Sequence, residues 1–164
     1  MKFNMKKLLG AASIAVLATW SIIGCDSNTT TAQSELAQPD WNRDSIELVV
    51  DGIMEEQVES WNNGDVEGFM SGYWKSDQLR FVAGKTVLHG HDSMTAMYKR
   101  SYPGKEKMGE LRFDLRDKKW MGDSVINVLG KWNVTNYDTT RSGNFAIMFM
   151  PVSEGWRIVE DHTW

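Results

Sequence analysis

The histidines of this sequence and their acidic neighbours are the residues best suited to proton transfer. His162 lies in the last predicted strand beside Asp161. An imidazole group has an unperturbed pKa of about 6.5, which suits a general base at neutral pH. Asp161 does not orient His162 by adjacency, because successive residues of a strand face opposite sides. We therefore predict His162 and Asp161 as candidate catalytic residues. The alternative is that both side chains bond to loop backbone and fix the end of the chain.

His89 and His91 are separated by one residue, which is the spacing of a His-x-His metal site on a strand. A metal site needs three or four converging ligands, and the segment HGHDSMTAM supplies no nearby glutamate. Gly90 also lies where the strand is expected to turn toward a helix. The sequence therefore favours histidines that hydrogen-bond locally, and it predicts neither a metal nor another cofactor.

Cys25 is the only cysteine of the chain, so no intrachain disulfide is possible. It follows a segment with three lysines and then an apolar stretch, Leu8 to Ile23, which is typical of a signal peptide. The sequence Ile22-Ile23-Gly24-Cys25 resembles the lipobox of bacterial lipoproteins. That resemblance implies a signal peptide at 1–24, a lipid on Cys25, a membrane lipid as partner, and a location in the cell envelope facing the periplasm or exterior. The alternatives are an ordinary secretory signal and a buried free cysteine.

The charge of the mature chain argues against a polyanion as partner. The whole sequence has 18 basic and 22 acidic residues, a net charge of -4. Removal of 1–24 takes away three lysines and no acidic residue, which leaves 15 basic and 22 acidic residues and a net charge of -7. Such a chain is repelled by nucleic acid, so no nucleic-acid partner is expected.

The segment 25–40 is predicted to be a flexible tether that begins at the lipidated cysteine. From Asp26 to Asp40 the only large apolar side chain is Leu36. A segment that buries no apolar surface does not recover the entropy lost on ordering. We therefore expect the globular domain to span 41–164.

Three helices are predicted in the first half of that domain. Asp44 and Ser45 are suitable N-caps for the first, and Asp65 for a short second helix. Asp92 or Ser93 is predicted to open a third helix that stops before Pro103. Apolar residues recur at helical spacing along the first helix: Ile46, Val49, Val50, Ile53, Met54, Val58 and Trp61.

The second half of the domain has the period of strands. Apolar and charged residues alternate from Leu111 to Arg116, which predicts a strand with one wet face. Three further strands are predicted after turns that carry glycine, and short loops between them predict an antiparallel meander. The turn dipeptides are Gly122-Asp123, Ser142-Gly143 and Glu154-Gly155, and a small hairpin at Gly84-Lys85 precedes them.

The strand around Phe145, Ile147 and Phe149 has apolar residues on its opposite face as well. One face is expected to take the helices. The other, with Ala146 and Met148, predicts a homodimer partner, or partial cover by the curl of the sheet and by the tether.

The order of these elements and three motifs resemble a SnoaL-like domain of the nuclear transport factor 2-like superfamily. The motifs are Trp61-Asn62-Asn63-Gly64-Asp65, Leu88-His89-Gly90 and the terminal segment from Gly155 to His162. The resemblance implies an α+β fold in which three N-terminal helices pack on a strongly curved, mostly antiparallel sheet. It also implies a cone with a pocket at its open end, commonly in a dimer. Members include isomerases, dehydratases, hydrolases and polyketide cyclases, besides proteins without demonstrated catalysis.

The steroid isomerases of that superfamily use a tyrosine on the first helix, a carboxylate base on the first hairpin and a protonated acid on a late strand. The corresponding positions here lie near Gln57 and Val82, and no acidic residue occurs between Gly143 and Val152. The sequence therefore disfavours that mechanism.

Aromatic residues are expected to line the pocket, which suits a flat or apolar small molecule. Two functions follow as hypotheses: a membrane-anchored binding module for such a molecule, or a lyase, isomerase or hydrolase that uses His162 as general base. The candidate pocket-lining residues are Trp61, Tyr73, Phe81, His89, Tyr98 and Trp132.

Overall fold

The structure is a computed structural model that describes residues 42–164. The predictions made for 1–24, for Cys25 and for the tether lie outside these described residues. Within the described part, no helix has both the length and the apolar character needed to cross a membrane.

The first helix, α1 (Arg43–Asn62), begins before the predicted cap. Asn42 is the N-cap, and its side-chain oxygen accepts a hydrogen bond of 3.1 Å from the Asp44 backbone N–H. The prediction of Asp44 or Ser45 as cap was therefore wrong by two or three residues, because an asparagine just upstream caps equally well. The buried stripe of α1 is the predicted one along most of its length, although Val49 is exposed.

Three shorter helices follow: α2 (Val66–Met70), α3 (His91–Ser101) and α4 (Lys105–Met108). Asp65 caps α2 as predicted, since its side chain accepts from Gly68 N. The helix α3 begins one residue before the predicted Asp92, after Gly90, whose φ of 89° turns the chain out of the preceding strand. The single turn of α4 was not predicted.

One six-stranded sheet completes the fold: β1 (Arg80–Ala83), β2 (Thr86–His89), β3 (Glu110–Trp120), β4 (Ile126–Asn136), β5 (Thr139–Val152) and β6 (Gly155–Thr163). The strand order is β2-β1-β6-β5-β4-β3, and every neighbouring pair is antiparallel except β1 with β6. The last four strands form the predicted meander. The predicted α+β class, with N-terminal helices on a curved and mostly antiparallel sheet, is confirmed.

The turn predicted at Ser142-Gly143 was wrong, because both residues lie inside β5. The turn between β4 and β5 is at Tyr137 instead, a non-glycine residue with a φ of 55°. Position 143 has no room for a side chain, because other residues lie very close to its backbone. A Cβ built there would lie 2.7 Å from Cζ2 of Trp132 and 2.7 Å from the Trp164 carbonyl oxygen. This glycine lets an aromatic ring lie flat on the strand, which a turn-based interpretation does not anticipate.

The core lies between the helices and the inner face of the sheet. Phe149, Ile126 and Ile158 on the strands and Val50 on α1 have no exposed surface. Two irregularities in strand register bend the sheet, one in β3 and one between β5 and β6. On the outer face, Ala146 and Met148 are half-buried, and the predicted homodimer stays a prediction.

Candidate functional site

A cavity of about 300 Å³ lies between the helices and the concave face of the sheet. This volume is at the lower end of the range for small-molecule sites, about 300 to 1,000 Å³. Helices α1 and α3 and strands β1, β4, β5 and β6 all contribute to its wall. Five of the six residues predicted to line the pocket contribute to this wall, and so does Asp161, which was predicted as catalytic. The five are Trp61, Tyr73, Phe81, Tyr98 and Trp132. The other lining residues are Met54, Gln57, Phe69, Ala83, Met97, Ser101, Tyr102, Leu111, Phe113, Val134, Arg141, Phe145, Ile147 and Thr163.

Aromatic rings in edge-to-face contact build the helical side of the cavity. The Trp61 ring centroid lies 5.1 Å from that of Phe69 and 4.8 Å from that of Tyr102, at interplanar angles of 68° and 70°. The Trp61 indole N–H donates to the Met108 carbonyl oxygen at 3.1 Å, so its one polar atom is satisfied outside the cavity. The rings therefore form a closely packed, mainly apolar wall.

Asp161 is the only carboxyl group among the lining residues, and it is 6% exposed. The Tyr73 hydroxyl donates to its Oδ2 atom at 2.8 Å. Its Oδ1 atom has no hydrogen-bond partner among residues 42–164. A buried polar atom without a partner costs about 1 to 3 kcal/mol, so this oxygen is a site where a ligand gains affinity.

Tyr73 reaches Asp161 because the chain after α2 is tied to the last strand. The Trp74 backbone N–H donates to the Ile158 carbonyl at 2.9 Å, and the Ile158 N–H donates to the Gly72 carbonyl at 3.0 Å. Gly72 is packed against α1, where a Cβ would lie 3.0 Å from Cγ2 of Ile53. The tyrosine is therefore held in place by backbone hydrogen bonds on both of its neighbours.

Burial raises the pKa of Asp161 from its ordinary 3.8 to about 7, although the hydrogen bond from Tyr73 acts in the opposite direction. Burial, and next the negative charge of Asp161, raise the pKa of Tyr73 well above 10. Below pH 7 the carboxyl group is therefore mainly neutral and has one proton to donate. Near pH 7 it exchanges that proton readily, which is the property of a general acid or base.

His162 does not line this cavity. Its side chain is exposed on the outer face of β6, where its ring centroid lies 5.4 Å from that of Trp164. Trp156 and Ile158 of the same strand point inward, and simple alternation from them places His162 inward too. The register irregularity leaves Val159 without a partner between Ile158 and Glu160, and this bulge inverts the alternation. The structure therefore contradicts the hypothesis that His162 is the general base of the pocket.

His89 and His91 do not share a strand face. His89 is exposed at the end of β2 and does not line the cavity, contrary to the prediction. His91 is the first residue of α3, and its Nε2–H donates to the Met70 carbonyl at 3.1 Å. This bond holds His91 at the start of α3, as expected of a histidine in a cap region, although its acceptor lies 21 residues away in the chain. Within the described part of the chain, no group of three or more histidine, cysteine, aspartate or glutamate side chains could hold a metal ion.

Several polar lining residues were missed as site residues by the sequence interpretation, among them Gln57 and Arg141. Gln57 is 2% exposed, and its Nε2 donates to the Phe69 carbonyl at 3.1 Å. The sequence could have indicated Gln57, because it is a polar residue at a position of the apolar stripe of α1. Arg141 is an exposed lining residue at the start of β5. Its signal was a cation at even spacing from Phe145 and Ile147, which indicates the same strand face.

The chain resembles solved structures over most of its length. An NTF2-like protein of unknown function from Shewanella oneidensis MR-1 is 32% identical, with 70% of this chain and 94% of that one covered and a TM-score of 0.67. An NTF2-like superfamily protein from Salmonella enterica is 13% identical, with 74% and 92% covered and a TM-score of 0.58. Aln2 from a Streptomyces species is 14% identical, with 73% and 89% covered and a TM-score of 0.58. The last two show the fold alone. No protein-family model matches the chain, and a search of curated proteins found no match.

Proposed function

The chain belongs to the NTF2-like superfamily, and from this premise we propose that its domain binds a small, mainly apolar molecule with an oxygen placed against Asp161. The observation that carries the proposal is the carboxyl group of Asp161, buried in an aromatic cavity with one oxygen held by Tyr73 and the other without a partner among the described residues. A hydroxyl or carbonyl group of the ligand would complete the hydrogen bonding of Oδ1. The aromatic wall would bury the apolar remainder of the ligand.

The proposed ligand is neutral at the Asp161 end. Below pH 7 the carboxyl group is protonated, and Oδ2 already accepts from Tyr73, so Oδ1 is the atom that presents a proton to the ligand. A carbonyl or hydroxyl oxygen accepts that proton. A carboxylate group of the ligand placed beside Asp161 would lose its hydration inside an apolar cavity, which is unfavourable.

We expect 4-phenylphenol to bind the wild-type domain at pH 6 about ten-fold more tightly than 4-methylbiphenyl, in which a methyl group replaces the hydroxyl. In the Asp161→Leu variant the preference should fall to about two-fold or less, because the oxygen that the ligand hydroxyl contacts is lost. Isothermal titration calorimetry on the purified domain measures both. His162→Leu is the matched control: it lies next to Asp161 in the chain but on the outer face, so the hydroxyl preference should persist.

Two results would count against this ligand proposal. Failure of both biphenyls to bind the wild type would remove the apolar binding function. Binding with no preference for the hydroxyl, or with a preference that survives in Asp161→Leu, would remove the role of the buried carboxyl group. Circular dichroism on the same samples confirms that the variant is folded.

We further propose that this domain is held on a membrane of the cell envelope by a lipid on Cys25. The support is the sequence: a basic start, an apolar stretch and a glycine directly before the only cysteine. An acyl chain contributes about 0.8 kcal/mol per CH₂ buried in the bilayer; one chain binds only reversibly, and a lipid with two or more chains on Cys25 would hold the domain stably at a membrane surface.

Acid–base catalysis at the same carboxyl group is a second candidate, favoured by the pKa of about 7 of Asp161. In this hypothesis Asp161, rather than His162, removes a proton next to a carbonyl group of the bound molecule and returns it. We expect the methyl protons of 4-acetylbiphenyl to exchange with D₂O about 100-fold faster in the presence of the domain than in buffer. NMR follows the exchange. Asp161→Asn should abolish the acceleration. If the wild type does not accelerate the exchange, catalysis of this kind is excluded and only the binding function remains.

A further inference from the structure

Arg141 is the only cationic side chain among the residues that line the cavity. It lies on the same face of β5 as the buried Phe145 and Ile147, since the three residues are an even number of positions apart. Arg141 and Ser101 are the exposed members of the lining, whereas Gln57 and Asp161 are buried. The guanidinium group therefore marks the mouth of the cavity and Asp161 its closed end.

Arg141 has no carboxylate within ion-pair distance in the described part of the chain. Six of the fifteen basic side chains among residues 42–164 form such an ion pair, so the place of Arg141 at the cavity mouth, rather than its lack of a partner, sets it apart. A guanidinium group at that place is available to pair with an anion that enters the cavity.

The backbone positions that carry Asp161 and Arg141 are far apart along the sheet. Asp161 pairs in register with Ile147, and Arg141 lies six residues before Ile147 on the same strand. At about 3.3 Å per residue the two positions are roughly 20 Å apart along the strand. The Trp132 ring packs over Gly143 between them, so the wall remains aromatic toward the mouth. A ligand that contacts both ends is elongated, with an apolar body between two polar groups.

We propose that the ligand of this cavity is an elongated apolar monocarboxylate, whose carboxylate pairs with Arg141 and whose other end presents an oxygen to Asp161. This inference rests on the proposed binding function and names its ligand class. A guanidinium group forms two parallel hydrogen bonds with either a carboxylate or a phosphate. One arginine neutralises a carboxylate fully, whereas a phosphate dianion would keep one uncompensated negative charge, so a carboxylate fits better. The neutral end enters first, because the buried end offers no cation.

The test compares 4'-hydroxybiphenyl-4-carboxylate with 4'-hydroxybiphenyl-4-carboxamide, which has the same shape and no charge. On the wild-type domain at pH 6 we expect the carboxylate to bind about five-fold more tightly, as measured by calorimetry. In Arg141→Gln the ratio should fall to about one, with the affinity for the amide retained. In Arg100→Gln, which removes an exposed arginine of α3 that does not line the cavity, the ratio should stay at the wild-type value.

The outcomes separate this inference from the binding function beneath it. If 4-phenylphenol binds but the carboxylate gains nothing over the amide, the ligand class is wrong and the binding function stands. The ligand class is also wrong if the gain survives in Arg141→Gln or disappears equally in Arg100→Gln. If neither biphenyl acid nor amide binds the wild type, the inference is overturned, and 4-phenylphenol then decides whether the binding function falls with it.

Discussion

Replacement of Asp161 by asparagine is expected to remove about 4 kcal/mol of pH dependence from the stability of the domain, since a pKa difference of one between the folded and unfolded states corresponds to about 1.4 kcal/mol. The pKa of Asp161 is about 7 in the folded state, against 3.8 for the ordinary carboxyl group. Between these values the folded protein keeps a proton that the unfolded chain has released. The free energy of unfolding therefore falls as the pH rises from about 4 to 7, and the fall ends above the folded-state pKa.

Asparagine suits this experiment because its side-chain oxygen still accepts the hydrogen bond from Tyr73, while nothing titrates. Urea unfolding at pH 4.5, 6 and 8 should show that the variant loses less stability than the wild type as the pH rises. Asp138→Asn is the control, since Asp138 lies exposed in the turn between β4 and β5 and its removal should leave the pH dependence unchanged. Parallel curves for wild type and Asp161→Asn would show that the carboxyl group is not held neutral by burial.

The fold was predictable because each element carries its own local signal. The apolar stripe of α1, the cap at Asp65 and the alternation in β3 depend on residues close in sequence. The wrong turn at Ser142-Gly143 arose because a residue there serves a distant contact. Gly143 is a typical turn residue by its neighbours, yet it is required by Trp132 on the adjacent strand.

The aromatic wall was also predictable, because aromatic residues on the inner faces of helices and strands have to converge in a cone. The buried acid was not assigned correctly, although Asp161 was among the candidates. Its role depends on which face of β6 is inside, and Trp156 and Ile158 indicate the wrong face for the residues that follow. A one-residue bulge exchanges Asp161 and His162 between the cavity and the solvent. No local pattern reports such a bulge, since it is set by pairing with β5.

The hydrogen bond between Tyr73 and Asp161 also depends on residues that are distant in sequence. The sequence distance between Tyr73 and Asp161 is 88 residues, and the contact depends on backbone hydrogen bonds that join Gly72 and Trp74 to β6. Composition and spacing identify both residues as candidates. Only the assembled sheet brings the hydroxyl group within 2.8 Å of the carboxyl group and leaves the other oxygen without a partner among residues 42–164.

The largest expected effect is a change of cellular location on replacement of Cys25. Cys25→Ser should move the protein from the membrane fraction to the soluble fraction of the cells that produce it, because serine cannot form the thioether that carries the lipid. The remaining mature chain, with a net charge of -7, is repelled by anionic headgroups and does not replace the lost apolar anchor. Fractionation followed by mass spectrometry of the N-terminal peptide measures both the location and the lipid.

The control for this experiment is Asp161→Asn, which alters the cavity and should leave the protein in the membrane fraction. A Cys25→Ser protein that has lost residues 1–24 and still partitions with membranes would overturn the lipid anchor, and so would an unmodified Cys25 in the wild type. A released variant that binds 4-phenylphenol as the wild type does would show that the anchor and the cavity act independently. The lipid would then set where the ligand is captured, and Asp161 and Arg141 would set which ligand it is.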